Sequence, residues 1–311
     1  MAGSIDRRRF LKDTAVAGGT LAVAGVASLG QILPAEAGGR RVMWGALALP
    51  GGGQSDQQDA VRALERKVGR RFDTTHYRMP WDVSLVNNFT RWSDNTNHRK
   101  QILSWFARTR SGVVSWRAIG NGDHDAWIRR QARSLRGTGW KGYFCFHKEP
   151  EDEGNPDDWK GAYHRVRSIF ADEDVRGFKW IVCLMASTYA KGEAAQWLPR
   201  RFDLLGVDGY NRNNCNASNG WRTFREIIRP AHAFAKRRNR GLYVVETGCV
   251  EGGARKKAEW ITAAGKAIAD WNTIVGVSYN HENTDCNYYV DTSTSALGSY
   301  RRMGDRGLFG G

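Results

Sequence analysis

The chain has 311 residues, 41% of them hydrophobic and 25% charged, a balance that excludes intrinsic disorder and can fill one large core or two smaller ones. Lysine and arginine number 47 against 32 aspartate and glutamate, a net charge of +15, so contact with an anionic polymer such as teichoic acid or an acidic polysaccharide stands beside the plainer reading of a solvated basic surface. No nucleic-acid-binding motif accompanies the charge, and nucleic acid is not expected as a partner.

The chain begins with an address. Arg7, Arg8, Arg9, Phe10, Leu11 and Lys12 precede a mildly apolar Ala/Gly/Val-rich segment from Thr14 to Leu33, and Ala35-Glu36-Ala37 follows as a small-x-small cleavage site. Residues 1–37 therefore read as an export signal of twin-arginine type, with Asp6 where Ser or Thr is usual, and residues 38–311 as the working part. The glycines make a poor spanning helix, so release is expected rather than anchoring, with no stable membrane insertion and work outside the cytoplasm.

Beyond the address, strand and helix patterns alternate. Strands are predicted at Val42–Leu49, Phe72–Arg78, Gln101–Phe106, Tyr143–His147, Phe178–Met185, Leu204–Tyr210, Leu242–Gly248 and Ile274–His281. Helices are predicted at Gln57–Val68, Val83–Ser93, Asp125–Leu135 with Asp123 as N-cap, Asp157–Phe170, Trp221–Lys236, Ala254–Trp271 and Ser295–Met303. Eight strands separated mostly by helices, in a chain of this length, fit an α/β (β/α)8 TIM barrel. The doubly wound alternative lacks a G-x-G-x-x-G turn after its first strand, since Gly51-Gly52-Gly53 has no phosphate-loop frame.

Cys145 and Cys183 fall in apolar runs and read as core residues, whereas Cys215, Cys249 and Cys286 each follow a strand, so that one disulfide among them suits an oxidising compartment. Asn88-Phe89-Thr90 and Asn216-Ala217-Ser218 fit the short glycosylation pattern, which often arises by chance.

Barrel enzymes work at the C-terminal ends of their strands, and two carboxylates stand there: Glu149, in Tyr143–Glu153 (YFCFHKEPEDE), and Glu246. Alone, Glu149 would begin a solvated acidic loop with Glu151, Asp152 and Glu153. With Glu246 three units later it becomes half of the apparatus of glycoside hydrolysis, in which one carboxyl protonates the leaving oxygen and the other attacks the anomeric carbon or activates water. His147, His281 and Glu282 offer a metal-dependent alternative, but no compact ligand motif is present and no metal or cofactor is expected.

The segments FHKEPED (146–152), LLGVDGYN (204–211), VVETG (244–248) and AEWI (258–261) resemble glycoside hydrolase family 26 and its actinobacterial relatives. The resemblance implies a (β/α)8 barrel cleaving a β-linked polysaccharide, mostly β-1,4-mannan, with retention of configuration. It also implies Glu149 as acid/base, Glu246 as nucleophile and Tyr210 approaching the nucleophile. Where family enzymes carry histidine directly before the acid, this chain has Lys148, with His147 one position earlier. An ammonium beside Glu149 would favour the ionised form, the wrong direction for a general acid, and strand alternation should turn Lys148 away from its neighbours. Asp208 reads as a rim residue or a loop cap. Tyr279 stands near where a tryptophan would line the sugar site, with Asn280 beside it. Among 13 tryptophans, Trp44 and Trp116 are the choices for sugar stacking. A monomer is expected. A non-catalytic carbohydrate-binding or cell-wall-associated barrel is the other reading.

Overall fold

The computed structural model describes residues 40–51, 53–96, 99–215 and 220–309; the expected export segment and the Asn216-Ala217-Ser218 triplet lie outside them. Eight parallel strands close into a barrel: β1 (Met43–Ala48), β2 (Thr74–Met79), β3 (Lys100–Trp105), β4 (Gly142–Phe146), β5 (Phe178–Met185), β6 (Leu204–Asn211), β7 (Leu242–Cys249) and β8 (Ile274–His281). Each pairs with its sequence neighbours, and β1 closes on β8 from Met43 opposite Gly276 to Ala48 opposite His281. The (β/α)8 expectation is therefore met, and two of the predicted strands, β5 and β8, have the predicted limits.

Helices α1 (Gln57–Val68), α2 (Asn88–Arg91), α3 (Trp116–Asn121), α4 (Asp125–Arg136), α5 (Pro156–Asp172), α6 (Ala186–Lys191), α7 (Phe224–Arg237), α8 (Lys256–Asp270) and α9 (Thr294–Gly304) complete the described elements, with short pieces between them. Local signals explain several limits. Helix α1 starts at Asp56, whose side chain accepts from the Asp59 amide, and stops at Gly69 in the left-handed conformation. Thr223 and Glu226 form a capping box at the start of α7.

The long helix predicted over Val83–Ser93 is not formed. Asn87 caps a single turn, α2, which runs into a π-type turn at Trp92–Thr96. The N-cap of α4 is His124 rather than Asp123, and it makes no side-chain cap bond. Helices α3 and α6 were not foreseen; α3 is announced by Ser115, whose hydroxyl accepts from the Ala118 amide.

Alternation along the strands sorts two cores. Met43, Ile102, Tyr143, Cys145, Ile181, Cys183, Tyr243 and Val245 meet inside the barrel, while the intervening side chains pack outward under the helices. Trp44 is one of the latter. It is fully buried against Phe72 and Tyr300, with Gly304 so close that a Cβ there would lie 2.8 Å from the indole. Tyr279 also faces the helices: it packs on Tyr300, and its hydroxyl accepts from the Cys249 amide. Neither reaches the barrel mouth, which corrects the sugar-stacking expectation for Trp44 and the placing of Tyr279 near the sugar site. In Asn88-Phe89-Thr90, Phe89 and Thr90 are buried, and Thr90 belongs to the cap of α2.

Cys215 and Cys286 form a disulfide that ties the loop after β6 to the loop after β8, and Cys145, Cys183 and Cys249 are buried thiols. Unreduced native protein should therefore show no rapidly reacting thiol, and three after denaturation. Two fast-reacting thiols in the native state would refute the pairing. Closing a loop across a separation of 71 residues is worth roughly 4 kcal/mol in the chain-entropy model, which reduction should remove. Among the described residues, no helix is long and apolar enough to cross a membrane. Part of the basic charge is locally balanced: Arg129 and Arg133 pair with Glu173, and Arg130 lies over Trp127.

Candidate active site

Two breaks in strand alternation build the site. In β7, Val245 lies on the barrel interior, so simple alternation would send Glu246 outward. The register against β6 slips there: Val207 faces Val244, but Asp208 faces Glu246. This bulge turns the Glu246 carboxylate into the mouth, the re-aiming role that bulges have beside active sites. The second break follows β4, which ends at Phe146. His147 (φ 41°) and Glu149 (φ 53°) take left-handed conformations, unusual for such residues, and they turn Lys148 inward. The His147 amide donates to Trp105 O and the Glu149 amide to Cys183 O, so the turn is pinned to β3 and β5.

Glu246, 2% exposed, is surrounded by donors. Arg78, at the end of β2, forks onto it with Nε 2.8 Å from Oε1 and a terminal nitrogen 2.8 Å from Oε2. Tyr210 donates its hydroxyl to Oε2, as the resemblance implied. Lys148 Nζ lies 3.3 Å from Oε1, and His76 Nδ1 lies 3.4 Å from the same oxygen. Burial alone would raise the Glu246 carboxyl, but Arg78 first, then Lys148 and His76, hold it well below the usual carboxylate range. This surrounding keeps the Glu246 carboxyl ionised.

Arg78 also reaches Glu282 at 2.9 Å and Asn280 Oδ1 at 3.2 Å, and Asn280 Nδ2 donates to Glu282 at 2.6 Å and to Tyr210 Oη at 3.2 Å. Asn280 thus belongs to the site. Burial would loosen the Arg78 proton, but Glu246, Tyr210 and Glu282 keep the guanidinium firmly charged.

Glu149 is the accessible member of the pair, with 32% of its side chain exposed and Lys148 Nζ 2.9 Å from Oε2. Alternation does not carry Lys148 away from Glu149. Its side chain is 3% exposed, and its ammonium lies 2.6 Å from Asp208 Oδ2 as well and 6.0 Å from the centre of the Phe106 ring. Burial opposes its charge, but Asp208, Glu149 and Glu246 together raise its pKa well above the ordinary lysine value. Asp208 is buried against the Lys148 ammonium and is not an open rim residue; burial pushes its carboxyl up, and Lys148 opposes that rise.

His147 is fully buried and cannot touch substrate. Its Nδ1 accepts from the Ala107 amide at 3.0 Å and lies 3.3 Å from Trp116 Nε1, so Nε2 carries the proton that faces Glu153 at 2.9 Å. Trp116 is 7% exposed and packs edge-on against that ring. These two residues hold the turn that aims Lys148 and Glu149. Glu151, expected in a solvated loop, is buried and accepts from the Met185 amide.

Sequence reasoning missed the roles of Arg78, His76 and Glu282. Arg78 follows Thr74 and His76 on the inward face of β2, one residue before its end at Met79, and an arginine near an inward strand end is a readable signal. The metal alternative is not assembled: His281 Nδ1 accepts from the Val290 amide, His147 is turned to Glu153, and no metal-holding group exists among the described residues.

Burial is the largest cause that pushes His76 down to about 3 and His281 down to about 4. A histidine with a folded pKa below its unfolded value charges first in the unfolded chain, so stability falls as pH drops from about 6.5 toward those values. Between pH 6.5 and 4.5, His76→Gln should reduce this acid loss by about 2 kcal/mol in denaturant titrations, and an unchanged slope would contradict a buried neutral His76.

No family model matches the chain. It is 22% identical over 275 residues to endoglucanase H of Acetivibrio thermocellus, covering 80% of this chain but only 29% of that protein, so it spans less than a third of its relative. Among solved structures it resembles a family 26 β-mannanase from Bacteroides ovatus (TM-score 0.62, 13% identity, 87% of this chain and 90% of that one). It also resembles a β-mannanase from a symbiotic protist of the termite Reticulitermes speratus, solved with a gluco-manno-oligosaccharide (0.60, 16%, 87% and 88%). A third is the modular endo-β-1,4-mannanase of Cellulomonas fimi (0.63, 12%, 86% and 71%). What this chain shares with these family 26 β-mannanase structures is the (β/α)8 fold, the fold that the resemblance read in the sequence implied.

Proposed function

We propose that this chain is a retaining glycoside hydrolase that cleaves a β-linked, mannan-like polysaccharide from within, with Glu149 as acid/base and Glu246 as nucleophile. One observation carries the reading: a single ammonium, Lys148 Nζ, lies 2.9 Å from Glu149 Oε2 and 3.3 Å from Glu246 Oε1 at the C-terminal mouth of the barrel. Those oxygens are no farther apart than the sum of the two contacts. That falls below the roughly 6.5 Å at which inverting pairs begin, and it supports retention.

In the first step a Glu246 oxygen bonds to the anomeric carbon, the glycosidic C–O bond breaks, and Glu149 gives its proton to the leaving oxygen. In the second, Glu149 takes a proton from water, whose oxygen displaces Glu246 from the same carbon. Arg78 and Tyr210 hold Glu246 oriented throughout. Work outside the cytoplasm after twin-arginine export, a monomeric state and contact of the basic surface with an anionic wall polymer belong to the same proposal.

The test is incubation with β-mannan, mixed-linkage glucan, xylan and bacterial wall polymers, reading reducing ends and, by NMR, the anomer formed first. Release of the β anomer from mannan is expected, and the α anomer first would overturn retention. The buried ammonium between Glu149 and Glu246 favours a second reading, a barrel that binds glycan without cutting it, and binding with no new reducing ends would select that reading.

A further inference from the structure

We propose that Lys148 is a displaceable occupant of the sugar position: in the ligand-free protein its ammonium holds the point between Glu149 and Glu246, and substrate binding moves it wholly onto Asp208. The inference deepens the hydrolase reading and rests on it.

Geometry sets up the conflict. A reacting anomeric carbon must come within about 3–3.5 Å of the nucleophile oxygen, and the glycosidic oxygen within hydrogen-bond reach of the acid. Lys148 Nζ already lies within 3.3 Å of both carboxylates. Sugar and ammonium therefore compete for one place.

The three contacts of the ammonium differ in what their loss would cost. Asp208 is the nearest partner at 2.6 Å and is buried, its other oxygen facing Cys183 Sγ at 3.1 Å, so that pair must persist or leave a buried charge unmatched. Glu246 keeps the Arg78 fork and the Tyr210 hydroxyl when Lys148 withdraws. Glu149 is a third exposed and can exchange the ammonium for water or for the leaving-group oxygen. The backbone need not move: His147 is locked to Ala107 and Glu153, and the Glu149 amide to Cys183 O, so the change is a lysine rotation over the Phe106 ring. Lys148 is thus a positioning residue that sets how much binding energy the sugar must spend.

Substitution separates this role from a structural one. Lys148→Met, and Lys148→Met/Asp208→Asn in which both charges are gone, should lower KM for mannohexaose about tenfold or more, because the competitor has left the site. A merely structural lysine would instead raise KM or lower kcat together with Tm. An unchanged or raised KM in both variants overturns the proposal, and the double variant decides if the single one fails to fold.

The hydrolase reading fails separately. If the wild type cuts none of the polymers but binds mannohexaose, calorimetric Kd replaces KM, and tighter binding by the variants still upholds displacement. If neither the wild type nor either variant binds or cuts mannohexaose, and another polymer is cleaved, the same KM comparison on that polymer decides. If nothing is bound or cut by any of them, both readings are overturned.

Discussion

Glu246→Ala is expected to lose on the order of 10⁴-fold in kcat/KM, with the fold intact, and azide is expected to restore turnover with the opposite stereochemistry. In the proposed mechanism the anomeric carbon then loses its nucleophile, and the small anion fills the gap and attacks from the face that Glu246 would use. One displacement then replaces two, giving the inverted glycosyl azide. Glu149→Ala should behave differently. Glu246 can still form the covalent intermediate with an activated aryl glycoside, whose leaving group needs no proton. The general base for water is missing, so the intermediate accumulates, and azide, which needs no base, releases it with retained configuration. Exchange of the two signatures between the variants would reverse the roles. Undiminished activity in either variant would remove that residue from the mechanism.

The fold was legible because alternating patterns along a chain this long admit few architectures, and the two strand-terminal glutamates were legible for the same reason. Side-chain direction was readable in part. Trp44, between the inward Met43 and Gly45, packs outward as strict alternation would have it, whereas Tyr279 packs outward only because the register of β8 slips between Ile274 and Gly276; counted from the inward Val275, alternation would have turned it in. At Glu246 and Lys148 alternation gives the wrong answer. A bulge at Val245 and left-handed turns at His147 and Glu149 reverse the facing, and no residue in VVETG or FHKEPED marks either break, since neither contains a glycine where the chain bends. Propensity is overridden where hydrogen bonds to β3 and β5 fix the backbone, and those partners are distant in sequence. The same distance hid the cluster of Arg78, Tyr210, Glu246, Asn280 and Glu282, which four different strands and one strand-end loop assemble.

Arg78→Met is expected to have the second large effect, and it separates charge from geometry. In the native site Arg78 satisfies both oxygens of a carboxylate that is 2% exposed, and it also reaches Glu282. Its removal leaves Glu246 with Tyr210, Lys148 and a neutral His76, and Glu282 with Asn280. Breaking one partner out of a buried pair costs about 3–5 kcal/mol, and the side chain of Arg78 is 29% exposed, so the lower end applies. The pH dependence has a defined sign. A carboxylate whose folded pKa is depressed contributes stability above its unfolded value and loses it as pH falls through the folded one. With Arg78 gone, burial, the largest single influence on Glu246, is less opposed, and the carboxyl rises. Stability should then be lost at higher pH than in the wild type, and the acid limb of kcat/KM should move up with it, because Glu246 must be ionised to attack. Arg78→Lys keeps a charge without the fork, so it should recover much of the acid limb but little of kcat. If the acid limb stays in place in Arg78→Met while activity falls, Arg78 positions Glu246 without setting its ionisation.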